Sequence, residues 1–348
     1  NIVGTNDRPT LTLTPTSDTV VSDPGYDKDH NEVAEDLTVT GTFEGADPDS
    51  NPTLEYGVST SAGNRDTAFG ADGNNPGMGG GHHSATGTYG SLTIDPSTGE
   101  YIYTLDTAKG GAADKLGLKP DGKPEQGYDT FTIYVRDEHG AWSEQTVTIT
   151  VNGSNDAPVI AKTENTLTVT ESGFKVDNTA VDTTHDVSKG SVGATDVDTS
   201  DQGKLTYYFS DKAHNPVTFG KGDVIGHLTL ADGTKTEITV TSVKPDGTIV
   251  TDYGTFHLDT KTGEYTFTKA ESTGNATDQL QLGDKVELDF SISVKDYHGE
   301  TASSTHDVTV VINGSNDRPS ATMQGITVKE AGVHDGNTAT TADTDRTL

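Results

Sequence analysis

The sequence predicts an all-β protein made of tandem β-sandwich domains, and two observations support this class. A phrase that runs from Val151 to Pro158 (VNGSNDAP) returns from Ile312 to Pro319 (INGSNDRP), and a shorter copy lies at Val3 to Pro9 (VGTNDRP). Recurrence over such distances is typical of a repeat array. Between the copies, apolar residues fall in short alternating runs separated by Gly, Asn, Asp and Pro, which is the pattern of half-buried strands. A half-apolar sheet must cover its face with another sheet, so each repeat is predicted to be a sandwich.

The repeated phrase also sets the predicted domains. Its Asp recurs at positions 7, 156 and 317, so each interval has the length of one ordinary domain, about 100–200 residues. We expect the end of a preceding domain and a linker at 1–7, one sandwich at 8–156, a second at 157–317, and the start of a truncated third at 318–348. The sequence is therefore expected to be a piece of a longer protein.

The chain is strongly acidic. It holds 54 Asp plus Glu against 23 Lys plus Arg, which gives a formal net charge of −31. An excess of this size disfavours nucleic acid and anionic membranes as partners and favours a cation. The alternative is that the charge serves only to keep the protein soluble.

The predicted core is thin. Only 30% of the residues are hydrophobic and the chain has no cysteine, so a bound metal is the expected means of reinforcement. No apolar run approaches the roughly 20 residues that span a bilayer, and no signal peptide opens the chain. We expect no direct membrane insertion, and export and anchoring are expected to depend on segments outside this sequence.

The predicted elements follow the same order in both repeats. Each repeat has an early acid before an alternating run, Glu35 in the first and Glu171 in the second. Each then has an Asp-x-Asp, at Asp47 to Asp49 and at Asp196 to Asp198. Matching motifs in matching order indicate that the two segments share one fold.

A hairpin and a turn come next. The segments 89–104 and 253–268 each hold two period-two runs around a Thr-Gly turn, which predicts a β-hairpin. A Val-x-Asp-x-x-Gly turn follows at Val135 to Gly140 and at Val294 to Gly299, and a final strand leads into the repeated phrase. This gives roughly seven strands per repeat, as in a two-sheet sandwich.

The repeats differ in what they insert. The first carries a Gly-rich stretch at 63–87, and the second an extra hairpin around 228–250 with Asp-Gly turns at 232–233 and 246–247. The only helical indications are 112–118 and 276–282, where a single turn between strands is expected.

This ordered set of motifs resembles the cadherin-like repeats, of the kind called VCBS repeats, in large RTX-type bacterial adhesins exported by type I secretion. The resemblance covers nearly the whole chain. It implies tandem immunoglobulin/cadherin-like sandwiches at the bacterial cell surface and calcium (Ca²⁺) at the domain junctions. It also implies a role in adhesion and biofilm formation, with neighbouring repeats and a host or biofilm surface ligand as partners.

The topology gives an independent reason for acids to meet at each junction. Antiparallel strands place alternate loops at opposite ends of a sandwich, and seven strands bring the chain out opposite its entry. The early acid and the acid after the hairpin then lie at the exit end, and the Asp-x-Asp and the Val-x-Asp turn lie at the entry end. The central junction is predicted to gather Glu35, Asp106, Asn155, Asp156, Asp196, Asp198 and Asp296.

The same reasoning predicts two incomplete junctions. Upstream it gathers Asn6, Asp7, Asp47, Asp49 and Asp137. Downstream it gathers Glu171, Glu271, Asn316, Asp317, Asp343 and Asp345. Calcium takes 6–8 oxygen ligands from carboxylates, carbonyls and water, so these sets can supply ions. An ion held at each linker would turn a hinged chain into a stiff extender that projects distal binding domains from the cell.

Other interpretations stay open at this point. Asx residues near Pro and Gly also make turns without any ion. His82 and His83 in the Gly-rich stretch lack a third anchored metal ligand. Trp142 is expected to pack at a domain junction, and the absence of aromatic platforms and of a convergent acid, base and nucleophile set argues against a hydrolase. The main alternative function is direct receptor or glycan binding by an inserted element, with Gly63 to Gly87 as the candidate.

Overall fold

The computed structural model describes most of the chain. The described residues are 4–15, 19–25, 37–49, 52–60, 68–69, 83–172, 186–270 and 275–317. Two hydrophobic clusters organise them, one formed by residues between Val21 and Val151 and the other by residues between Ile160 and Ile312. The two units that surround these clusters are called the first and second unit below.

Two sheets form the first unit. Its strands are β1 Thr10–Pro15, β2 Val20–Ser22, β3 Thr38–Ala46, β4 Glu55–Ser59, β5 His83–Thr86, β6 Gly90–Ile94, β7 Glu100–Leu105, β8 Gln126–Arg136 and β9 Trp142–Asn152. One sheet has the order β1-β3-β7-β6-β5 and the other β2-β9-β8-β4.

Strict alternation explains how these strands form a core. In β7, Tyr101, Tyr103 and Leu105 are buried while the residues between them are exposed. Successive side chains of a strand point to opposite faces, so one face of each sheet is apolar and packs against the other. The ring of Tyr103 meets that of Phe131 from the opposite sheet, with centroids 6.0 Å apart.

The chain enters each unit by crossing between the sheets. In the first unit, β1 pairs antiparallel with β3, whereas β2 pairs parallel with β9 in the other sheet. The parallel pairing means that β2 and β9 end together, at the side where the chain leaves the unit. Asp23 follows β2 directly, and its backbone N–H donates to Asn152 O at 2.8 Å.

The second unit repeats this plan with additions. Its strands are β10 Val159–Ile160, β11 Glu164–Thr170, β12 Val187–Ser191, β13 Ala194–Thr195, β14 Thr206–Phe209, β15 Val224–Thr229, β16 Lys235–Thr239, β17 Ser242–Val243, β18 Ile249–Thr251, β19 Gly254–Leu258, β20 Glu264–Lys269, β21 Lys285–Lys295 and β22 His306–Asn313. One sheet runs β11-β22-β21-β15-β16, with β14 also on β21, and the other β12-β20-β19-β18-β17. A short pair, β10-β13, forms a separate two-stranded sheet.

The predicted hairpins are confirmed. Strands β6 and β7 pair antiparallel, as do β19 and β20. Their turns end on Gly99 and Gly263, whose φ angles of 72° and 70° lie in the left-handed region that glycine adopts without strain. The carboxylate of Asp95 accepts hydrogen bonds from the amides of Ser97 and Thr98 and so fixes the first turn.

The insertions extend the sheets. The predicted extra hairpin of the second unit proves to be two, since β15–β16 lengthens one sheet and β17–β18 lengthens the other, with Gly233 and Gly247 in the turns. Most of the Gly-rich stretch of the first unit lies outside the described residues. Its described parts are Ala68 and Phe69, and β5, which adds an edge strand to β6.

The predicted class is confirmed: the chain folds as all-β, immunoglobulin/cadherin-like sandwich domains in tandem. The predicted helical turns are one 3-10 segment at Thr277–Gln279 and an equivalent turn closed by Leu116 N–H donating to Ala113 O. The part of the chain that the structure describes holds no helix long and apolar enough to cross a membrane. The domain boundaries at 1–7, 8–156, 157–317 and 318–348 stay a prediction.

Candidate metal centre

The linker between the two units is held by acids of the second unit. The amide of Asn155 donates to Asp296 Oδ2 at 2.7 Å, and the backbone N–H of Asp156 donates to Asp198 Oδ2 at 2.8 Å. Asp198 N–H in turn donates to Asp196 Oδ1 at 2.9 Å. These five residues belong to the set predicted for the central junction, and the structure brings them together.

The same arrangement occurs at the start of the chain. Asn6 donates to Asp137 Oδ2 at 2.8 Å, and Asp7 N–H donates to Asp49 Oδ2 at 3.0 Å. Asp49 N–H donates to Asp47 Oδ1 at 2.8 Å. The structure therefore brings the upstream set of five together, and each contact has a counterpart at the central junction. Each repeat thus holds the Asn-Asp pair of the linker before it with acids of its Asp-x-Asp and of its Val-x-Asp turn. This arrangement is called a cage below.

Two acids of the first unit, Asp23 and Asp114, were missed by sequence reasoning. Together with the five residues of the central junction named above, they are called the central cluster below. Asp23, Asp114 and Asp156 are all buried, and one carboxylate oxygen of each lies within 4.8 Å of the others. Asp23 follows β2, and Asp114 lies in the turn between β7 and β8. This group of three therefore combines two acids of the first unit with Asp156 of the linker, and the backbone N–H of Asp156 donates to Asp198 of the second unit.

The downstream end repeats this second arrangement. Glu171, Asp278 and Asp317 form a group of the same kind. Glu171 follows β11 as Asp23 follows β2. Each donates its backbone N–H to the neighbouring strand, Glu171 to Asn313 O and Asp23 to Asn152 O. Asp278 and Asp114 stand in matching phrases, Ala-Thr-Asp-Gln-Leu and Ala-Ala-Asp-Lys-Leu. Two clusters built from equivalent positions indicate that this group of three acids is a recurring feature of the repeat.

Close packing places the turn that carries Asp114. Gly153 of the repeated phrase has no room for a side chain, since a Cβ there would lie 1.9 Å from Leu116 O. Gly314 has the same relation to Gln281 O, at 2.2 Å. The glycine of the repeated phrase thus lets the Asp-bearing turn lie directly against the linker.

The same turn contacts the second unit. Lys115 O accepts a hydrogen bond from Thr199 N–H at 3.1 Å, and a Cβ on Gly117 would lie 2.9 Å from Asp198 Cγ. Farther along, His298 Nε2 lies 3.2 Å from Lys119 O. The central junction is therefore a direct contact between the units as well as a cluster of acids.

Burial changes the electrostatics of the cluster. It raises the pKa of Asp196 to about 7 and that of Asp198 to about 8, with neighbouring carboxylates adding to the effect. The pKa of Asp296 is also raised, chiefly by burial. At the upstream cage, burial again acts on Asp137, but hydrogen bonds from Asn6, His139 and Ala141 lower its pKa overall. A bound cation would therefore offset more unfavourable charge burial at the central cluster than at the upstream cage.

The donor set fits a hard cation. Among the described residues, Asn155 Oδ1, Asp196 Oδ2 and Asp198 Oδ1 are buried oxygens without a hydrogen-bond partner. Buried polar atoms are normally paired, and an ion is one of the standard explanations when they are not. Carboxylate and amide oxygens, with no nitrogen or sulfur among them, are the ligands that calcium takes.

Of the six other predicted ligands, two belong to the described residues. Asp106 is exposed and accepts a hydrogen bond from Ala108 N–H, so it caps a turn. Asn316 is exposed and its amide donates to Asp317 O. Glu35, Glu271, Asp343 and Asp345 lie outside the described residues. In all of these the role of a ligand stays a prediction, and the matching phrases around Asp114 and Asp278 are the sequence signal that could have identified the missed acids.

The remaining candidates have ordinary surroundings. His83 Nε2 lies 3.6 Å from Glu55 Oε1, and His82 is outside the described residues. Trp142 is half-buried, with the guanidinium of Arg8 5.7 Å from its ring centroid. Because Arg8 follows Asp7, the single tryptophan of the chain lies beside the upstream linker, in line with the expectation that it packs at a junction.

The chain matches no protein-family model and no curated protein. Among solved structures it is similar to protocadherin gamma B2 extracellular cadherin domains 1–5, with 14% identity and a TM-score of 0.35 over 91% of this chain and 42% of that one. It is similar to domains 3–6 of that protein with 13% identity and a TM-score of 0.35, over 88% of this chain and 51% of that one. It is similar to human CDH23 EC21-23 with 16% identity and a TM-score of 0.35, over 88% of this chain and 69% of that one. The chain spans about half the length of the first two, and likenesses this distant carry no information on ligands or partners.

Proposed function

We propose that this chain is a calcium-stiffened extender of a bacterial cell-surface adhesin, which projects distal binding domains for adhesion and biofilm formation. The observation that supports the proposal is the central cluster, in which Asp23 and Asp114 of the first unit lie close to Asp156 of the linker, while Asp198 and Asp296 of the second unit accept hydrogen bonds from the same linker. A site built from two units and the segment between them has a direct effect on their relative motion. Calcium bound there would hold the linker in one geometry.

Calcium would be held by Asp23, Asp114 and Asp156, with Asn155, Asp196, Asp198 and Asp296 as the other available ligands. The ion supplies positive charge that offsets the repulsion of the converging carboxylates. The chain's own residues do the positioning, because backbone amides fix one oxygen of Asp198 and one of Asp196 and leave the other oxygen of each without a hydrogen bond within the described part of the chain.

The expected affinity suits an extracellular medium. Extracellular modules bind calcium with Kd of about 10⁻⁴–10⁻³ M. At a free concentration of roughly ten times Kd, each site adds about 1.4 kcal/mol to the free energy of unfolding. Release of the ion in a low-calcium compartment would return the linker to a hinge.

Small-angle X-ray scattering of the 348-residue chain tests the proposal. After chelation, added calcium should raise the maximum dimension and sharpen the distance distribution, and magnesium should not. Asp156→Asn should remove the response. Asp232→Asn, which changes an exposed acid in the β15–β16 turn, should keep it. A chain whose scattering is the same with and without calcium would refute the extender mechanism.

A further inference from the structure

We propose that the first unit carries a binding surface for neutral polysaccharide on the outer side of its β8–β9 pair. The surface, called the Tyr128 face below, is made of Gln126, Tyr128, Thr130, Thr148, Thr150 and Asn152. These residues alternate with the core residues of the two strands and face away from the sandwich. Their registers are Gln126 opposite Asn152, Tyr128 opposite Thr150 and Thr130 opposite Thr148.

Tyr128 gives this face a fixed aromatic platform. It is 57% exposed, the largest fraction among the exposed large hydrophobic residues of the described chain. Its hydroxyl donates to Gln126 Oε1 at 3.1 Å, and Gln126 Nε2 donates to Asn152 Oδ1 at 2.9 Å. A hydroxyl that bonds the side chain two residues earlier on the same strand requires the ring to lie along the strand. One side of the ring is therefore offered to solvent in a held orientation, which lowers the entropy cost of binding.

The rest of the face supplies hydrogen-bonding groups without charge. Thr130 Oγ1 lies 3.2 Å from Thr148 Oγ1, so the two hydroxyls are already oriented toward each other. Hydroxyl and amide groups can each donate and accept, which suits a ligand covered with hydroxyls. An absence of charge over six adjacent outward positions contrasts with a chain in which 22% of residues are charged.

The second unit provides an internal comparison. By strand register, its equivalents of Gln126, Tyr128 and Thr130 are Lys285, Glu287 and Asp289, opposite Asn313, Val311 and Thr309. Lys285 forms an ion pair with Glu287, whose carboxylate also contacts His227, and Asp289 accepts a hydrogen bond from the Thr309 hydroxyl. The same place in the repeat thus carries a solvated ionic surface in one unit and a neutral one with a tyrosine in the other. In the second unit the inserted strand β15 pairs with β21 beside these positions, whereas in the first unit β4 pairs with β8 only from Thr132 to Arg136.

These features favour a chain of neutral pyranose rings as the occupant. The axial hydrogens of a pyranose pack on an aromatic face, and its equatorial hydroxyls reach the flanking amides and hydroxyls. A polyanionic ligand would gain no cation here and would meet the repulsion of a protein with a net charge of −31. A second copy of the chain is disfavoured by the same repulsion. The surface includes none of the proposed calcium ligands, so it adds an adhesive function to a spacer.

Affinity electrophoresis of the whole chain tests this surface. Native gels would contain dextran, laminarin or hydroxyethylcellulose, with alginate as the anionic comparison. The wild-type chain should be retarded by at least one neutral polymer and not by alginate. Tyr128→Ala should weaken the retardation roughly tenfold or more, the loss typical of truncating a central interface tyrosine. Ile102→Ala, which removes a 51% exposed side chain from the other sheet, should bind as wild type.

A second variant and a sedimentation measurement remove the remaining ambiguities. Thr150→Lys adds a charge beside Tyr128 without removing the ring, and it should also weaken binding. Equal thermal unfolding midpoints for the variants and the wild type would exclude loss of fold as the cause. Retardation by no neutral polymer, or undiminished retardation of Tyr128→Ala, would overturn the proposal. Concentration-dependent dimerisation measured by sedimentation, if Tyr128→Ala abolished it, would overturn the proposal and show that the Tyr128 face binds a second copy of the chain.

Discussion

At the scale of single residues, Asp129 places a carboxylate inside the first sandwich. It is 3% exposed and faces inward from β8. It accepts hydrogen bonds from the amides of Thr88, Tyr89 and Gly90 and from the hydroxyl of Tyr103. Burial, and then the hydrogen bond to Asp129, raises the pKa of Tyr103, so this hydroxyl remains a donor. The carboxylate thus fixes the β5–β6 turn across the sandwich.

We expect Asp129→Asn to destabilise the first unit by about 2 kcal/mol, because the neutral amide replaces charge-assisted hydrogen bonds and turns a donor toward three amides. Urea unfolding measured with and without calcium checks the value. Asp289→Asn, an exposed acid on the equivalent strand, should be neutral. A loss that calcium abolishes would show that Asp129 acts through the junction instead of through the turn.

The raised pKa values of Asp196 and Asp198 predict an unusual pH dependence. Their pKa values of about 7 and about 8 exceed the ordinary value of 3.8, so the folded chain holds protons that the unfolded chain releases. Their contribution to metal-free stability is fully present below the ordinary pKa and is lost as the pH rises through 7 and 8. Calcium binds the ionised forms, so its stabilising effect should grow over the same window.

Thermal unfolding at pH 6, 7 and 8, with and without calcium, measures this effect. The calcium-induced rise in Tm should be largest at pH 8 and smallest at pH 6. In Asp198→Asn, the pH dependence of that rise should be reduced. A calcium effect that is constant across the window would mean that the cluster is ionised throughout, contrary to the pKa values.

The acids show how far single residues could be predicted. The sequence identified Asn155, Asp156, Asp196, Asp198 and Asp296 because they lie in short motifs that recur in order. It matched Glu35 to Glu171 as equivalent acids of the two repeats; Glu35 lies outside the described residues, and among the described ones Asp23 occupies the position equivalent to Glu171. The reason is physical: the parallel pairing of β2 with β9 is a long-range contact, and no local pattern near Asp23 reveals it.

At the scale of elements, the turn that carries Asp114 depends on one glycine. A Cβ on Gly153 would lie 1.9 Å from Leu116 O and 2.4 Å from its carbonyl carbon, both backbone atoms. We expect Gly153→Ala to push this turn from the linker, lower calcium affinity roughly tenfold, and destabilise the chain by about 1–3 kcal/mol. Calorimetric titration and thermal unfolding measure the two effects.

Gly220→Ala is the matched control for this element, since a Cβ there meets only Asp223 Oδ2, at an ordinary 3.8 Å. It should leave both quantities unchanged. Gly314→Ala should act at the downstream cluster in the way that Gly153→Ala acts at the central one. Unchanged calcium affinity in Gly153→Ala would remove Asp114 from the proposed ligands.

Elements with local signals were the ones that sequence could predict. The hairpins β6–β7 and β19–β20 follow from alternation around a Thr-Gly turn, and both are observed. The single extra hairpin expected near 228–250 is two hairpins, because its Asp-Gly pairs at 232–233 and 246–247 each close their own turn. Assigning one pair to each sheet requires the long-range pairing of β15 with β21, which the sequence does not display.

At the scale of the whole molecule, the two assembled cages differ in what surrounds them. At the central junction Asp156 is buried, and the first unit adds Asp23 and Asp114. At the upstream cage Asn6 and Asp7 are exposed, and only one unit contributes acids within the described residues. A cage that receives ligands from both sides should bind calcium more tightly, because more of its carboxylates converge before the ion arrives.

The single tryptophan makes the two sites distinguishable in one experiment. Trp142 lies beside the upstream linker, under Arg8, so terbium emission excited through tryptophan should report the upstream site, while scattering reports the stiffness of the central one. Stiffening should saturate at lower terbium concentration than the emission. Asp156→Asn should remove the stiffening and preserve the emission, and Asp49→Asn should do the reverse. If both variants abolish both signals, the two cages are one cooperative system and the junctions of the array do not act as independent hinges.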